Sequence, residues 1–423
     1  MALVLRGATL IDGTGAAPRA NTAVTLTGDR IVAVESGAAE GAGDAGDRSA
    51  GDAGDAEPSQ QLDLTHLALL PGLINAHAHL GMVGTDTTMS TAEVAARVFR
   101  NCELALAAGF TSVRELGGLD GGVARAIERG LVRGPRVFPS GPALAQEGGH
   151  GTFMPSFADC PCGYGPPAVP GLSHLAQVCN GPDAVRLAAR TAFRRGATQL
   201  KVFISGGVVS LSDSLEDTQF VVEELRAIVA EAQARHTYVT AHAHNSRAIR
   251  NGLAAGIACF EHGSFLDEET AILMAQAGAA LVPTFAVTRV LLSEWQQWGL
   301  PEAVVGRMAG VEAAMTRATR LAYDKGVSIG SGADLLGAEQ NRHGLELVLK
   351  ARILGPMAAI VSATSTNARI MRVDDRLGTV APGKLADLIA VTGDPLTEPD
   401  LFDDPTRVVL VIKGGQIVKD TRG

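Results

Sequence analysis

"TYVTAHAHNSRAIRNGLAAG", residues 237–256, carries two periodicities end to end. In a strand, successive side chains point to opposite faces. Tyr238, Thr240, His242 and His244 therefore share one face, and Val239, Ala241 and Ala243 take the other. The small apolar residues suit packing against helices, so the polar set faces the opposite way. "SRAIRNGLAAG" then reads as a helix. A strand followed at once by a helix is one unit of a β/α chain.

Working outward, the same unit recurs. "LALLPGLINAHAH" precedes the helix "TAEVAARVFRNCELALAAG", which ends at Gly109. "FTSVREL" precedes "GVARAIERG", and "PRVFPSG" is followed, after a long loop, by "DAVRLAARTAFRRG". "TQLKVFISGG" precedes "TQFVVEELRAIVAEAQARH", and "ACFEHG" precedes "EETAILMAQAG". "ALVPTFA" leads into one long helix ending near Gly326, and "VSIGSGADLLG" into "LELVLKARILG". Eight strand–helix units predict an α/β fold, a (β/α)8 TIM barrel over residues 66–370. The competing doubly wound open sheet is disfavoured, because no GxGxxG follows the first strand.

The two ends read differently. "LVLRGATLIDG", "TAVTLTGDRIVAV", "GTVAPGKLADLIAVTGDPL" and "VVLVIKGGQIVKD" are short strands separated by Gly and Asp turns. They predict a small β-sandwich domain assembled from residues 1–65 and 371–423. Within it, 37–60 is a Gly, Ala and Asp tract with no apolar side chain larger than alanine, which predicts disorder.

With 423 residues and 46% apolar content, the chain has an ample core. A net charge of −9 argues against a nucleic-acid or anionic-membrane surface, since both want basic patches. No run reaches the roughly 18 uncharged apolar residues of a membrane helix. "MALVLRGATLIDG" has no secretory apolar region, so a cytoplasmic location is expected. The odd set of cysteines, Cys102, Cys160, Cys162, Cys179 and Cys259, is no disulfide framework. The lone CxC of "DCPCGYG" reads as reduced thiols in a loop.

In a barrel, chemistry gathers at the C-terminal ends of the strands. There the first strand carries His77 and His79, the fourth Lys201, and the fifth His242 and His244. The sixth carries His262 and the eighth Asp334. Each has an ordinary reading by itself: a rim histidine, a turn aspartate, a snorkelling or salt-bridged lysine. Two imidazoles two apart on a strand can chelate one ion. Coincidence of metal-ligand types on five strands favours a metal site.

"PGLINAHAHLG", "KVFISGG", "AHAHN", "EHGSFLD" and "GSGADLLG", in this order, resemble the amidohydrolase superfamily. More narrowly, they resemble its imidazolonepropionase-like and Xaa-Pro dipeptidase-like branch. The resemblance implies two divalent metal ions, with zinc the first choice. His77, His79 and Asp334 would bind one ion and His242 and His262 the other. Lys201 would bridge them after taking up carbon dioxide as a carbamate. It further implies cleavage of an amide in a dipeptide or N-acyl amino acid with a free carboxylate, as in Xaa-Pro dipeptidases or ochratoxin-type amidases. A hydroxide between the ions would attack, and Asp334 would carry its proton to the departing amine. His150, in the loop "QEGGHGTFMP", and His244, where related dipeptidases carry a tyrosine, would touch the substrate. Members of the branch assemble as homo-oligomers, so this chain is expected to do so.

Other residues receive smaller readings. Ser205, Gly206 and Gly207 follow Lys201 and could offer backbone N–H groups to a carboxylate. Arg114 and Glu115 end the second strand and are expected to pair with each other, as structural residues. Tyr238 is read as filling, and Trp295 and Trp298 as a packed cap. His66, His174, His236 and His343 receive no role. Two rival functions remain: hydrolysis of a cyclic amide or imine, including ring deamination, and a non-catalytic binding protein on a retired barrel. The bridging lysine disfavours the first, and the full ligand set the second.

Overall fold

The computed structural model describes residues 2–36, 60–84, 88–151, 169–210, 213–300, 302–338 and 340–422. The tract expected to be disordered, apart from Gln60, lies outside the described residues, as do Cys160 and Cys162.

The middle of the chain alternates parallel strands with helices. In order these are β1 (Leu73–Ala78), α1 (Thr91–Ala107), β2 (Phe110–Glu115), α2 (Gly121–Glu128), β3 (Arg136–Pro139) and α3 (Pro182–Arg194). Then follow β4 (Leu200–Phe203), α4 (Val222–Gln233), β5 (Val239–Asn245), α5 (Ser246–Ala255), β6 (Cys259–Phe265) and α6 (Glu268–Gln276). The series ends with β7 (Ala280–Val282), α7 (Phe285–Glu294), α8 (Glu302–Asp324), β8 (Ser328–Ile329) and α9 (Leu345–Leu354). The single long helix expected after the seventh strand is thus two helices, interrupted around the Gly299 turn.

β1, β2 and β3 pair in one sheet, and β4 to β8 pair consecutively in another, extended by Ala143–Ala145 and Ala176–Val178. Backbone bonds of 2.8 Å connect the two: Thr198 N–H to the Pro139 carbonyl, Ala76 N–H to Ser331, and Asp334 N–H to His77. The parallel register sets Lys201 beside Thr240 and Ala243 beside His262. Polar strand ends are therefore brought to one level. Beneath them Val202, Ala241, Phe260 and Leu281 pack with Val185, Ile228 and Ile249 of the surrounding helices.

The terminal strands are linked by hydrogen bonds into one sheet of eight, assembled from both ends of the chain. Ala2–Leu10 is its hub, pairing with Arg19–Thr27, Gln60–Asp63 and Leu67–Pro71. Leu388–Thr392, Val408–Lys413 and Gln416–Asp420 extend it from the other end of the chain. Alternation serves both faces. Leu69, Leu388 and Leu410 pack with Leu5, Leu10 and Val24, whereas Leu70, Ile389 and Val411 pack with Val98 of α1 and Phe110 of β2.

The stretch expected as a single first strand is divided at Gly72. Leu67–Pro71 belongs to the terminal sheet, and β1 begins at Leu73. A Cβ on Gly72 would lie 2.2 Å from Thr111 Oγ1, so the crossing needs a residue without a side chain. Among the described residues, no helix is long and apolar enough to cross a membrane.

A histidine-rich candidate metal centre

His77, His79, Lys201, His242, His244, His262 and Asp334, drawn from five strand ends, line one cavity of about 110 Å³ together with His150. Two groups stand out. In His77, His79 and Asp334, and again in His242, His244 and His262, the possible ligand atoms lie within 4.8 Å of one another. Asp334 Oδ1 is 3.3 Å from His77 Nε2 and 3.1 Å from His79 Nε2. The His242 and His262 rings lie 4.5 Å apart, and His244 stacks on His262 at 4.9 Å.

Each of the five strand-end histidines has one ring nitrogen held from behind. His77 Nδ1 is 2.7 Å from Glu261 Oε2, and His79 Nδ1 is 3.5 Å from the Gly117 carbonyl. His242 Nε2 donates to the Gly206 carbonyl at 3.2 Å. His244 Nδ1 pairs with Ser264 Oγ at 3.0 Å, and His262 Nδ1 with Thr284 Oγ1 at 2.7 Å. Such partners fix tautomer and ring orientation, leaving the other nitrogen for a ligand.

Charge states suit a divalent cation. Burial pushes the imidazoles toward neutrality: His150 to about 4, His244 to about 3, and His242 and His262 well below their usual range. Burial opposes the charge of Asp334, but His77 and His79 outweigh it and hold the carboxyl well below the carboxylate range. Lys201 is 1% exposed, and its Nζ has no hydrogen-bond partner among the described residues. Burial lowers this ammonium to about 8. Burial lowers His79 too, but Asp334 outweighs it and raises that imidazole above its usual value. The neutral imidazoles of His150, His242, His244 and His262, the ionised Asp334 carboxylate and a lysine that gives up its proton more easily than usual form an N/O donor set that fits a divalent ion.

The backbone is strained at two of these positions. His262 has φ 67° and Asp334 φ 56°, in the left-handed region that disfavours side chains. Such outliers persist where the surrounding structure over-determines them, and they concentrate at functional sites.

The loop after β4 differs from expectation. Ser205 Oγ accepts the His244 N–H and donates to the Gly206 carbonyl, both at 2.9 Å. The Gly207 N–H donates to Asp213 Oδ1 at 2.9 Å. The Gly207 donor that was to meet a substrate carboxylate is thus engaged within the loop, opposite an acid. Its glycine has a packing reason instead, because a Cβ would fall 2.0 Å from the His150 ring. His150 is stacked on His242 at 4.4 Å and lies 3.8 Å from Asp213.

Arg114 and Glu115 do not pair. As neighbours on a strand they point to opposite sides. Arg114 reaches Glu261 at 2.8 Å and also bonds the Ala76 carbonyl and the Tyr238 hydroxyl. Thr240 Oγ1 donates to the same Glu261 carboxylate. Burial opposes ionisation of Glu261, but Arg114 and His77 hold it well below the usual range. Sequence reasoning missed Glu261; the available signal was an acid inside the apolar strand "ACFEHG". Glu115 instead accepts the Gly117 and Leu119 N–H groups at 3.2 Å, shaping the loop whose Gly117 carbonyl faces His79. His343 is buried and bonds Asn75, whose Oδ1 accepts the His77 and Ala333 N–H groups. Trp298 packs beside Gly337 rather than lining the cavity.

A family model described as the amidohydrolase family matches residues 68–418. An ochratoxinase from Aspergillus niger is 34% identical over 366 residues, covering 83% of this chain and 75% of that one. Among solved structures, a prolidase complexed with N-methylphosphonate-L-proline is 34% identical with a TM-score of 0.89, and each chain is covered completely. A Xaa-Pro dipeptidase with bound methionine is 30% identical, with a TM-score of 0.84 and coverage of 99% of this chain and 100% of that one.

Proposed function

The chain belongs to the amidohydrolase family and is a metal-dependent hydrolase acting on carbon–nitrogen bonds, and from that premise we propose a two-metal amidase. Its substrate is a dipeptide or N-acyl amino acid with a free carboxylate, and its frame is a closed (β/α)8 barrel carrying the terminal β domain. The observation that carries this reading is the buried, unpartnered Lys201 amine in one cavity with both ligand groups.

His77, His79 and Asp334 would hold one divalent ion and His242 and His262 a second, zinc being the first choice. Lys201 would add carbon dioxide through its neutral amine, forming an N–C bond and releasing a proton. The resulting carbamate is an anion with two oxygens, which removes the cost of a buried cation. When bound, the ions supply Lewis acidity toward the scissile carbonyl and a water that ionises near neutral pH.

Every other task falls to side chains. The Asp334 carboxylate accepts the proton of the attacking water and passes it to the leaving nitrogen. His150 and His244, kept neutral by burial, orient the substrate carboxylate; with the Ser264 hydroxyl donating to Nδ1, His244 keeps its single N–H on Nε2 for that task. Glu261 and the Gly117 carbonyl keep His77 and His79 in their ligand tautomers.

The test is to reconstitute the protein with zinc, count ions, and assay a panel of dipeptides and N-acyl amino acids. Two ions per chain, a carbamate signal from carbon-13 bicarbonate, and loss of both turnover and that signal in Lys201→Ala are expected. One ion per chain with an unmodified lysine and full activity would remove the two-metal reading. No turnover of any carboxylate-bearing amide would remove the substrate class.

A further inference from the structure

The two ligand groups are mounted differently. His242 and His262 stand on β5 and β6, neighbours in one sheet whose ladder fixes their spacing. His77 and His79 stand on β1, whereas Asp334 follows β8, a strand of the other sheet. The first ion site therefore straddles a seam. Two backbone bonds of 2.8 Å cross it, from the Ala76 N–H to the Ser331 carbonyl and from the Asp334 N–H to the His77 carbonyl. The segments pass so close that a Cβ on Gly332 would lie 2.4 Å from His77 Cβ.

Between those two bonds a side chain makes the crossing. Asn75 is 1% exposed and shares a strand face with His77 and His79. Its Oδ1 accepts the His77 N–H at 3.0 Å and the Ala333 N–H at 3.1 Å. One oxygen thus ties the backbone of His77 to that of the residue before Asp334. Asp334 has φ 56°, and such a conformation persists only where neighbouring contacts over-determine it. The Ala333 bond is one of those contacts. With Oδ1 committed to two donors, Asn75 Nδ2 must donate, and its partner is His343 Nδ1. His343 is fully buried, and burial lowers it to about 3, which keeps the accepting lone pair free.

We propose that Asn75 is a positioning residue for the first ion site: its carboxamide sets Asp334 against His77 and His79, and His343 locks the carboxamide in the orientation that does so. The second site, carried by a regular ladder, does not depend on it. The seam also supplies its own comparison. Asn101 of α1 donates to the Leu80 and Gly337 carbonyls at 3.1 and 3.2 Å. It crosses the same seam but bonds neither His77 nor Ala333, so its loss should loosen the frame without turning Asp334.

The inference rests on the two-metal amidase reading, and the experiment separates the two. Zinc constants of the parent and its variants are measured by competitive chelator titration, beside denaturant unfolding of the metal-free forms. Asn75→Leu, similar in size but without the acceptor, should weaken one constant about 10–100-fold and leave the other within about threefold. Asn75→Asp can accept both N–H groups while His343 donates from Nδ1, so it should stay within about threefold of the parent. His343→Leu, which frees the carboxamide, should weaken the same constant about 10-fold, and it carries the test if Asn75→Leu folds poorly. Adding Asn75→Leu to Asp334→Asn should lower that constant little further, because Asn75 acts through the carboxylate. Asn101→Ala should lose stability and keep both constants within about threefold. A zinc loss in Asn101→Ala as large as that in Asn75→Leu overturns the inference and leaves the amidase reading standing. So does an Asn75→Leu protein that binds both ions like the parent. The expected constants in a protein that hydrolyses no amide support the inference and remove the amidase reading. One ion per chain removes the two-metal reading, and the same comparison on that ion's constant then decides the inference.

Discussion

Two buried ion pairs, built from the same chemistry, have been put to different uses. Arg114 and Glu261 meet at 2.8 Å across two strands, and neither side chain is exposed. Glu346 and Lys350 meet at 3.3 Å one turn apart on α9, equally hidden. The first pair turns toward the centre: Glu261 holds His77, and Arg114 holds the carbonyl of Ala76. The second turns toward the frame. Glu346 Oε2 accepts the Ala286 N–H at the start of α7, which has no side-chain cap of its own. Lys350 donates to the Gly330 carbonyl at 2.6 Å, four residues before Asp334.

Their charge states diverge accordingly. Glu261 faces both Arg114 and His77 and stays ionised. Burial raises Glu346, with fewer counter-charges, and depresses Lys350. The lesson is that burial does not fix the protonation of a pair; the number of opposing charges around each member does. A pair meant to orient a ligand is kept firmly ionic, and a pair meant to brace a helix can be less so.

The sharpest way to break the contrast is Glu261→Gln. It strands Arg114, so a loss of about 3–5 kcal/mol in denaturant unfolding of the metal-free protein is expected. A drop of about 10–100-fold in zinc affinity should accompany it by competitive chelator titration. Unchanged zinc affinity would mean that Glu261 does not orient His77. Lys350→Met should cost a similar stability, about 3 kcal/mol. Because its pair touches no ligand, zinc affinity of the folded variant should stay within about twofold. An equally large affinity loss would abolish the distinction between the two pairs.

Combining Glu346→Gln with Lys350→Met should recover most of that stability, leaving a deficit of about 1 kcal/mol. The amide oxygen can still cap Ala286, and no charge is left alone. A strictly additive double mutant would argue against coupling.

The smallest effect concerns Glu115. Burial raises it from 4.5 to about 7. The folded state therefore prefers its neutral form, so its contribution is fully present below the unfolded value and is lost as pH rises through the folded one. In metal-free protein, Glu115→Gln should gain stability relative to the parent between pH 4.5 and 7, with little change outside that window. A pH-independent difference would place its ionisation elsewhere.

Much of the centre was legible because strand alternation is strict. His77 with His79, and His242 with His244, can be assigned to shared faces from spacing alone, and Lys201 stands out as a charge in an apolar run. The same rule, applied to Arg114 and Glu115, excludes the pairing first expected of them. What spacing could not supply was reach across strands. Glu261 meets His77 from β6, a strand in a different sheet from β1 and 184 residues away in sequence, so no local pattern could pair them. The division at Gly72 was hidden for a related reason: both halves of "LALLPGLINAHAH" are equally apolar, and only the Thr111 contact marks the crossing. The break between α7 and α8 leaves the apolar pattern of both helices intact.

The left-handed backbone at His262 and Asp334 has a consequence for how such a site decays. Glycine and asparagine are the residues that tolerate this conformation best. Once selection for the metal is relaxed, these two positions should drift first toward Gly or Asn, and not toward the β-branched residues favoured elsewhere in a sheet. Paired Gly or Asn substitutions there, in an otherwise complete chain, would be the fossil imprint of a centre that has fallen silent.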